Sequence, residues 1–203
     1  MPERTRPCKY LILVMVMLLY GCATTTAPVD LPPDAEKQRI ANLGNAIKAL
    51  GDDVDPDEAR RAARIAIEYS RQLAVEYDIT GSALYHNILV NLGIRSRGLC
   101  IHWTADLKAR LQEERFRTLD LHWAIANYRT TFSIEHSTVV ISSPGASLQQ
   151  GLVLDAWRNS GDLYWSPTLE DSGYVWEPQA EIHALKRSLE ADIDNRQAAN
   201  QGN

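Results

Sequence analysis

The spacing of the apolar residues changes near Gly93, and this change constrains the fold more than any other feature of the chain. Between Asp34 and Leu92 apolar residues recur every three or four positions, which is the period of helices with one buried face. Between about Leu119 and Trp157 they alternate with other residues, which is typical of strands. We therefore expect helices in the first half of the chain and paired strands in the second.

Cap and turn residues give approximate bounds to these elements. Asp55 before Pro56 is a typical helix start, and Gly51 and Gly93 are typical helix stops. The helices are expected at 34–50, 56–77 and 82–92, with a fourth beginning at or just before Cys100. The strands are expected at 119–128, 134–142 and 151–157.

The first 22 residues have the pattern of an export signal. Three basic residues precede an unbroken apolar run at 11–19, which is shorter than the roughly 20 residues that span a bilayer. The sequence Leu-Tyr-Gly-Cys at 19–22 resembles the lipobox of bacterial lipoproteins. The resemblance implies cleavage after Gly21 and anchoring to a membrane through a fatty-acylated Cys22. An ordinary signal peptide or a short anchor helix is the alternative.

The remaining chain divides by composition. We expect a signal peptide at 1–21, a flexible tether at 22–33, a single folded domain at 34–190 and a polar tail at 191–203. Removal of residues 1–21 takes three basic and one acidic residue from the 21 and 26 of the full chain, which leaves a formal charge of about −7. No basic patch remains, so nucleic acid is not an expected partner.

Cys100 is the one thiol left after cleavage and acylation, because Cys8 is removed and Cys22 carries lipid. In an oxidising compartment a lone cysteine is either buried and inert or kept for its reactivity. At a helix N-terminus the free N–H groups lower a cysteine pKa. However, Trp103 and Leu107 place Cys100 on a core-facing stripe, so a small buried side chain is an equally good interpretation.

The strands at 134–142 and 151–157 are separated by the turn-forming sequence at 143–147. An antiparallel hairpin centred on this turn pairs His136 with Asp155. Directly opposed residues share one face of a sheet, so Asp155 is expected to accept a hydrogen bond from His136. The sequence thus predicts a His and an Asp on a sheet that follows a helix carrying a lone Cys.

A thiol nucleophile needs a base within hydrogen-bond reach and a third group that fixes the tautomer of the base. The segments Gly98-Leu99-Cys100, Glu135-His136 and Leu152-Val153-Leu154-Asp155 resemble, in that order, the Cys, His and Asp segments of the transglutaminase-like branch of the papain-like superfamily. The resemblance implies an α+β fold in which the nucleophile helix packs on an antiparallel sheet. It also implies that Cys100 is the nucleophile, His136 the base and Asp155 the residue that orients the base.

Other polar residues are weaker candidates. A zinc site drawn from Cys100, His122, His136 and Asp155 lacks the usual short ligand spacing, so we expect neither metal nor cofactor. His102 points away from Cys100 on its helix and is assigned a structural role. The backbone N–H of Cys100 is the first candidate for an oxyanion-hole donor, with Trp103 or Asn87 as a second.

Three functions remain open from the sequence. The first is a thiol enzyme of the cell envelope, an amide hydrolase or acyl transferase acting on a protein, a peptide or a cell-wall peptide. The second is a catalytically idle member of the same fold that binds a partner at the membrane. The third is a structural lipoprotein with Cys100 in its core. Because Ala23 rather than Asp follows Cys22, similarity to lipoprotein sorting implies the outer membrane, facing the periplasm.

Overall fold

The computed structural model describes residues 32–129 and 134–201. The predicted signal peptide, lipobox and Cys22 lie outside these residues. Among them are five helices, which are α1 (Pro33–Lys48), α2 (Pro56–Glu76), α3 (Ala83–Asn91), α4 (Cys100–Glu113) and α5 (Gln179–Gln201). The strands are β1 (Asp120–Ala126), β2 (His136–Ser142), β3 (Leu152–Asp155), β4 (Tyr164–Pro167) and β5 (Glu177–Pro178).

The helices begin and end close to the predicted positions because local signals determine their ends. Asp55 caps α2, and its side chain accepts hydrogen bonds from the backbone N–H groups of Asp57 and Glu58 at 2.7 and 3.0 Å. Ser82 caps α3 through the backbone N–H of Tyr85. Such caps satisfy N–H groups that have no partner within the helix.

The strands form one antiparallel sheet in the order β4-β3-β2-β1-β5. The fold is therefore α+β, with helices that precede the sheet in the chain. Two short 3₁₀ turns, Leu148–Gln150 and Thr168–Glu170, lie in the connections on either side of β3 and β4.

The two faces of the sheet are buried against different partners. Side chains of β2 and β3 that include Val139, Ile141 and Leu154 join the main core, together with residues of α1, α2 and α4. Their alternate neighbours Val140 and Val153 join a smaller cluster that contains Trp176. Because α4 packs directly on β2, the helix that begins at Cys100 lies against the strand that begins at His136.

The C-terminal segment, predicted as a polar tail at 191–203, begins within a helix. Helix α5 continues without interruption to Gln201. Its first turns are held to the domain by the buried Ile182 and by an ion pair between Lys186 and Glu135. Residues 191–194 are exposed, the apolar Ile193 among them. Within residues 32–129 and 134–201, no helix is long and apolar enough to cross a membrane.

Candidate functional site

The segment before α4 fixes the position of Cys100. Gly98 has a φ of +121°, and a Cβ there would lie 2.4 Å from the ring of His86 on α3, so this position requires glycine. The carbonyl of Gly98 accepts a hydrogen bond from Trp103 Nε1 at 2.9 Å. The ring of His102 accepts the backbone N–H groups of Gly98 and Leu99 on Nδ1, at 3.1 and 3.3 Å. His102 thus has the structural role assigned to it from the sequence.

Cys100 is the first residue of α4 and is half-buried with a free thiol. Its Sγ lies 3.7 Å from the backbone carbonyl oxygen of Glu135, the residue before β2. The first residues of β2, His136 and Ser137, lie close enough to the thiol to lower the pKa of Cys100 and so favour its ionised form. Cys100 thus packs against the edge of the main core, and its thiol lies beside the start of β2.

His136 and Asp155 meet in the interior, where each is 1% exposed. Nε2 of His136 lies 2.7 Å from Oδ2 of Asp155. Because an ionised carboxylate can only accept, the imidazole donates through Nε2, which leaves Nδ1 as the nitrogen available to Cys100. Nδ1 is buried and has no hydrogen bond of good geometry within the described residues.

The predicted pairing of His136 directly with Asp155 is wrong by two residues. Val139 pairs with Leu154, and continuing this register puts Asp155 opposite Thr138. The cause is the connection between the strands, in which the turn at residues 143–146 is followed by a 3₁₀ turn at Leu148–Gln150. Since positions two apart share a face, His136 and Asp155 are diagonal neighbours and still form their hydrogen bond.

Three aromatic rings enclose the imidazole of His136. The ring centroids of Trp157, Tyr174 and Trp176 lie 4.6, 4.8 and 5.3 Å from it. Trp157 is held in place by its backbone N–H, which donates to Oδ1 of Asp155 at 3.1 Å. The rings exclude water from one side of the imidazole and strengthen its interaction with Asp155.

Arg158 and Asp171 extend the site, and neither was identified from the sequence. Arg158 donates through Nε to Oδ2 of Asp155 at 3.0 Å, and through both terminal nitrogens to Asp171 at 3.1 and 2.6 Å. Asp171 also accepts from Trp176 Nε1 at 2.9 Å. The guanidinium lies 3.9 and 4.8 Å from the ring centroids of Tyr164 and Tyr174. Its bidentate contact with Asp171 balances its charge.

The charges alternate in sign along this row of residues. Burial is the largest single influence on His136 and opposes its ionisation, but the charge and hydrogen bond of Asp155 together with the contact of Cys100 outweigh it and raise the pKa of His136 to about 9. Burial likewise opposes ionisation of Asp155, yet His136 and then Arg158 hold the pKa of this carboxyl below its ordinary value. Burial alone would raise the pKa of Cys100, whereas the neighbouring His136 and then Ser137 bring it below the ordinary value.

Each of these pKa shifts favours the charged form of its group. A thiol whose pKa is lowered and an imidazole whose pKa is raised exchange a proton more readily, which favours a thiolate–imidazolium pair between Cys100 and His136. Such a thiolate can attack an electrophilic carbon, and the imidazolium can return the proton to a leaving group.

No group of three or more His, Cys, Asp or Glu side chains within the described ranges is placed to hold a metal ion. An open cleft of about 610 Å³ borders the site at Asp171 and Tyr174, and residues 127–129 form part of its wall.

Comparisons of the chain with protein-family models, with curated proteins and with solved structures found no match. The chemistry of the site is therefore the basis on which a function can be assigned.

Proposed function

We propose that this protein is a thiol enzyme that cleaves or transfers an acyl group at an amide. Cys100 is the nucleophile, His136 the base and Asp155 the residue that orients the base. The observation that carries the proposal is the buried hydrogen bond between His136 Nε2 and Asp155 Oδ2, which leaves Nδ1 for the thiol at the start of α4. A cysteine that only fills space needs no charged histidine beside it.

The groups present account for each proton in such a reaction. The thiolate of Cys100 adds to the carbonyl carbon of the substrate, and the π electrons of the carbonyl move to its oxygen. Collapse of this intermediate breaks the C–N bond, and the imidazolium of His136 gives its proton to the departing amine. Water or a second amine then attacks the thioester and loses a proton to His136; collapse of this second intermediate breaks the C–S bond and restores the Cys100 thiolate beside the protonated His136. Water gives hydrolysis, and an amine gives transfer.

The transglutaminase-like resemblance is part of this proposal. It is supported by the chain order Cys100, His136, Asp155, by a nucleophile at the first residue of a helix, and by the packing of that helix on an antiparallel sheet. Arg158 and Asp171 add a second ion pair behind Asp155. They keep Asp155 charged and fixed, as an orienting carboxylate requires.

We place the enzyme in the cell envelope, anchored to the outer membrane through an acylated Cys22 and facing the periplasm. This part rests on the lipobox-like sequence at 19–22, followed by Ala23. The substrate is then a protein, a peptide or a cell-wall peptide within reach of the membrane surface.

Alkylation by iodoacetamide across a range of pH tests the proposal, with Cys100→Ala as the blank. Cys100 should react near neutral pH in the native protein, well below the free thiol pKa of about 8.5. His136→Ala should slow the reaction at about pH 6 to 7, because it removes the cation that stabilises the thiolate. If Cys100 reacts only after unfolding, or if His136→Ala changes nothing, the enzyme proposal fails.

A further inference from the structure

Helix α3 has an outward face without charge. From Ala83 to Asn91 the helix contains no Asp, Glu, Lys or Arg residue. Its inward face is formed by the buried side chains of Ala83, His86 and Asn87. A helix on a protein surface ordinarily carries polar and charged residues on the face opposite its buried one. The outward face of α3 therefore has the composition of a surface that something else covers.

Four apolar residues form this outward face, and we call them the α3 apolar face: Leu84, Tyr85, Ile88 and Leu92. Their spacings of three and four place them side by side on the helix and its first following residue. They are 55, 51, 55 and 68% exposed. Single exposed apolar side chains are common on proteins, whereas a contiguous group marks a contact with another protein or with a membrane.

The start of α3 lies at the end of the domain where the proposed tether enters. Arg39, in the second turn of α1, forms an ion pair with Asp162 at 2.9 Å. In the same loop, the hydroxyl of Ser160 donates to the carbonyl oxygen of Gly81, two residues before α3, at 3.1 Å. This loop therefore joins the beginning of α1 to the beginning of α3.

The proposed tether is short. Ten residues separate Cys22 from Pro33, and this length of chain spans about 40 Å at most when fully extended. In a protein anchored through Cys22, the end of the domain that holds the beginning of α1 is then the end nearest the bilayer. The bilayer is therefore the apolar surface that the anchor brings within reach of α3.

The arginines that follow α3 do not supply a free positive charge for anionic head groups. Arg95 pairs with Asp78 and Arg97 pairs with Asp106, each at 2.7 Å. The contact with lipid would then be driven by burial of apolar side chains, and uncharged lipids should support it.

We propose that the α3 apolar face lies against the bilayer surface in the anchored protein. This inference rests on the proposed lipid anchor and not on the chemistry of Cys100. It has a consequence for the site, because α3 also holds the segment before α4. Nε2 of His86 lies 2.9 Å from the carbonyl oxygen of Arg97, and its ring lies beside Gly98. The docked helix thus keeps Cys100, at the start of α4, close to the membrane surface.

Quenching of a fluorescent label by lipid tests the contact. Cys100 is the one free thiol of the acylated protein, so Cys100→Ala combined with Ile88→Cys leaves a single labelling site. The acylated full chain is labelled with the environment-sensitive dye NBD in detergent and reconstituted into phosphatidylcholine vesicles that carry a spin label on the acyl chains. The emission of the dye at position 88 should shift to shorter wavelength and be strongly quenched.

Leu169 provides a matched control position. It is apolar and 79% exposed, and it shares a cleft with Ala49 and Leu50 at the far end of α1 from the tether. Helix α1 is about 24 Å long, so a dye on Leu169→Cys in the same Cys100→Ala background should not be quenched. Equal quenching at the two positions would overturn the inference. So would the absence of quenching at position 88 in protein that sediments with the vesicles, and this result would leave the anchor intact.

A charge on the face tests the same contact a second way. Leu92→Glu, added to the labelled Ile88→Cys protein, should reduce the quenching, because a carboxylate resists transfer to the apolar boundary of the bilayer. Leu169→Glu should not reduce it, and equal effects of the two substitutions would overturn the inference.

Two other results would also overturn it. A dye at position 88 that shifts in wavelength without being quenched by lipid would show that a second copy of the chain covers the face. Protein that does not sediment with the vesicles would overturn the anchor and this inference together. The enzyme proposal would stand in either case, because alkylation of Cys100 tests it separately.

Discussion

Asp155→Asn separates the charge of Asp155 from its hydrogen bond, because asparagine keeps an oxygen that can accept from His136 Nε2. The pKa of His136 lies at about 9 against an ordinary value of 6.5, and burial is the largest single influence on it and acts downward. The net rise corresponds to roughly 3 kcal/mol in favour of the imidazolium. With the charge of Asp155 removed, burial remains, and only the hydrogen bond kept by asparagine and the smaller effect of Cys100 oppose it. The pKa of His136 should therefore fall to 6.5 or below.

NMR titration of the imidazole resonances measures this pKa directly. The chain has five histidines, and a His136→Gln variant assigns the resonance of interest. Asp57→Asn is a suitable control, since Asp57 is exposed at the first turn of α2 and far in the chain from the site. The control should leave His136 at its wild-type pKa. A pKa that stays near 9 in Asp155→Asn would show that Asp155 does not hold the charge on His136.

The same shift predicts a pH dependence of stability. The folded-state pKa of His136 is raised above its unfolded value, so its contribution to the free energy of unfolding is fully present below about pH 6.5 and is lost as the pH rises through about 9. Urea unfolding across this range should show a smaller decline in Asp155→Asn than in wild type. An equal decline in both proteins would contradict the assignment.

Three further substitutions test the surroundings of the site and the anchor. Asp171→Ala should lower the free energy of unfolding by about 2 kcal/mol in urea titrations, because it leaves Arg158 with one carboxylate and the buried Trp176 Nε1 without an acceptor; an unchanged value would refute this. Gly98→Ala should cost more than about 2 kcal/mol, whereas Gly93→Ala, with nothing within 4 Å, should cost about 1 kcal/mol. Equal losses of stability in Gly98→Ala and Gly93→Ala, measured by thermal unfolding, would refute the close approach of His86 on α3 to Gly98. Cys22→Ser should release the protein from membranes or leave the precursor uncleaved, and equal fatty-acid incorporation would refute the anchor.

The parts of the fold that local chemistry determines could be predicted from the sequence. Asp55 caps α2 through the N–H groups of the first turn, independently of what α2 packs against. The start of α4 at Cys100 follows from Gly98 and from the spacing of the apolar residues after it. The ends of a helix and the spacing of apolar residues along it depend on residues within one or two turns of each other. The segments that carry Cys100, His136 and Asp155 could therefore be identified before their contacts were known.

Features that depend on distant packing could not be predicted. The register of β2 and β3 is set by a connection that contains a 3₁₀ turn, and no tight-turn rule gives its length. Arg158 and Asp171 are 13 positions apart with no motif between them, and they meet only because the chain folds back after β4. Trp157 on the loop after β3 donates a hydrogen bond to Asn87 on α3, 70 residues away in the chain.

The central claim is that Cys100 and His136 form a thiolate–imidazolium pair in the folded protein. Titration of the ultraviolet absorbance of the thiolate measures this pair without a substrate, taken as the difference between wild type and Cys100→Ala. The wild-type thiolate should appear well below the free thiol pKa of about 8.5, and His136→Ala should move its appearance upward. A Cys100 thiolate that forms only at or above that pH, with no response to His136→Ala, would contradict the claim.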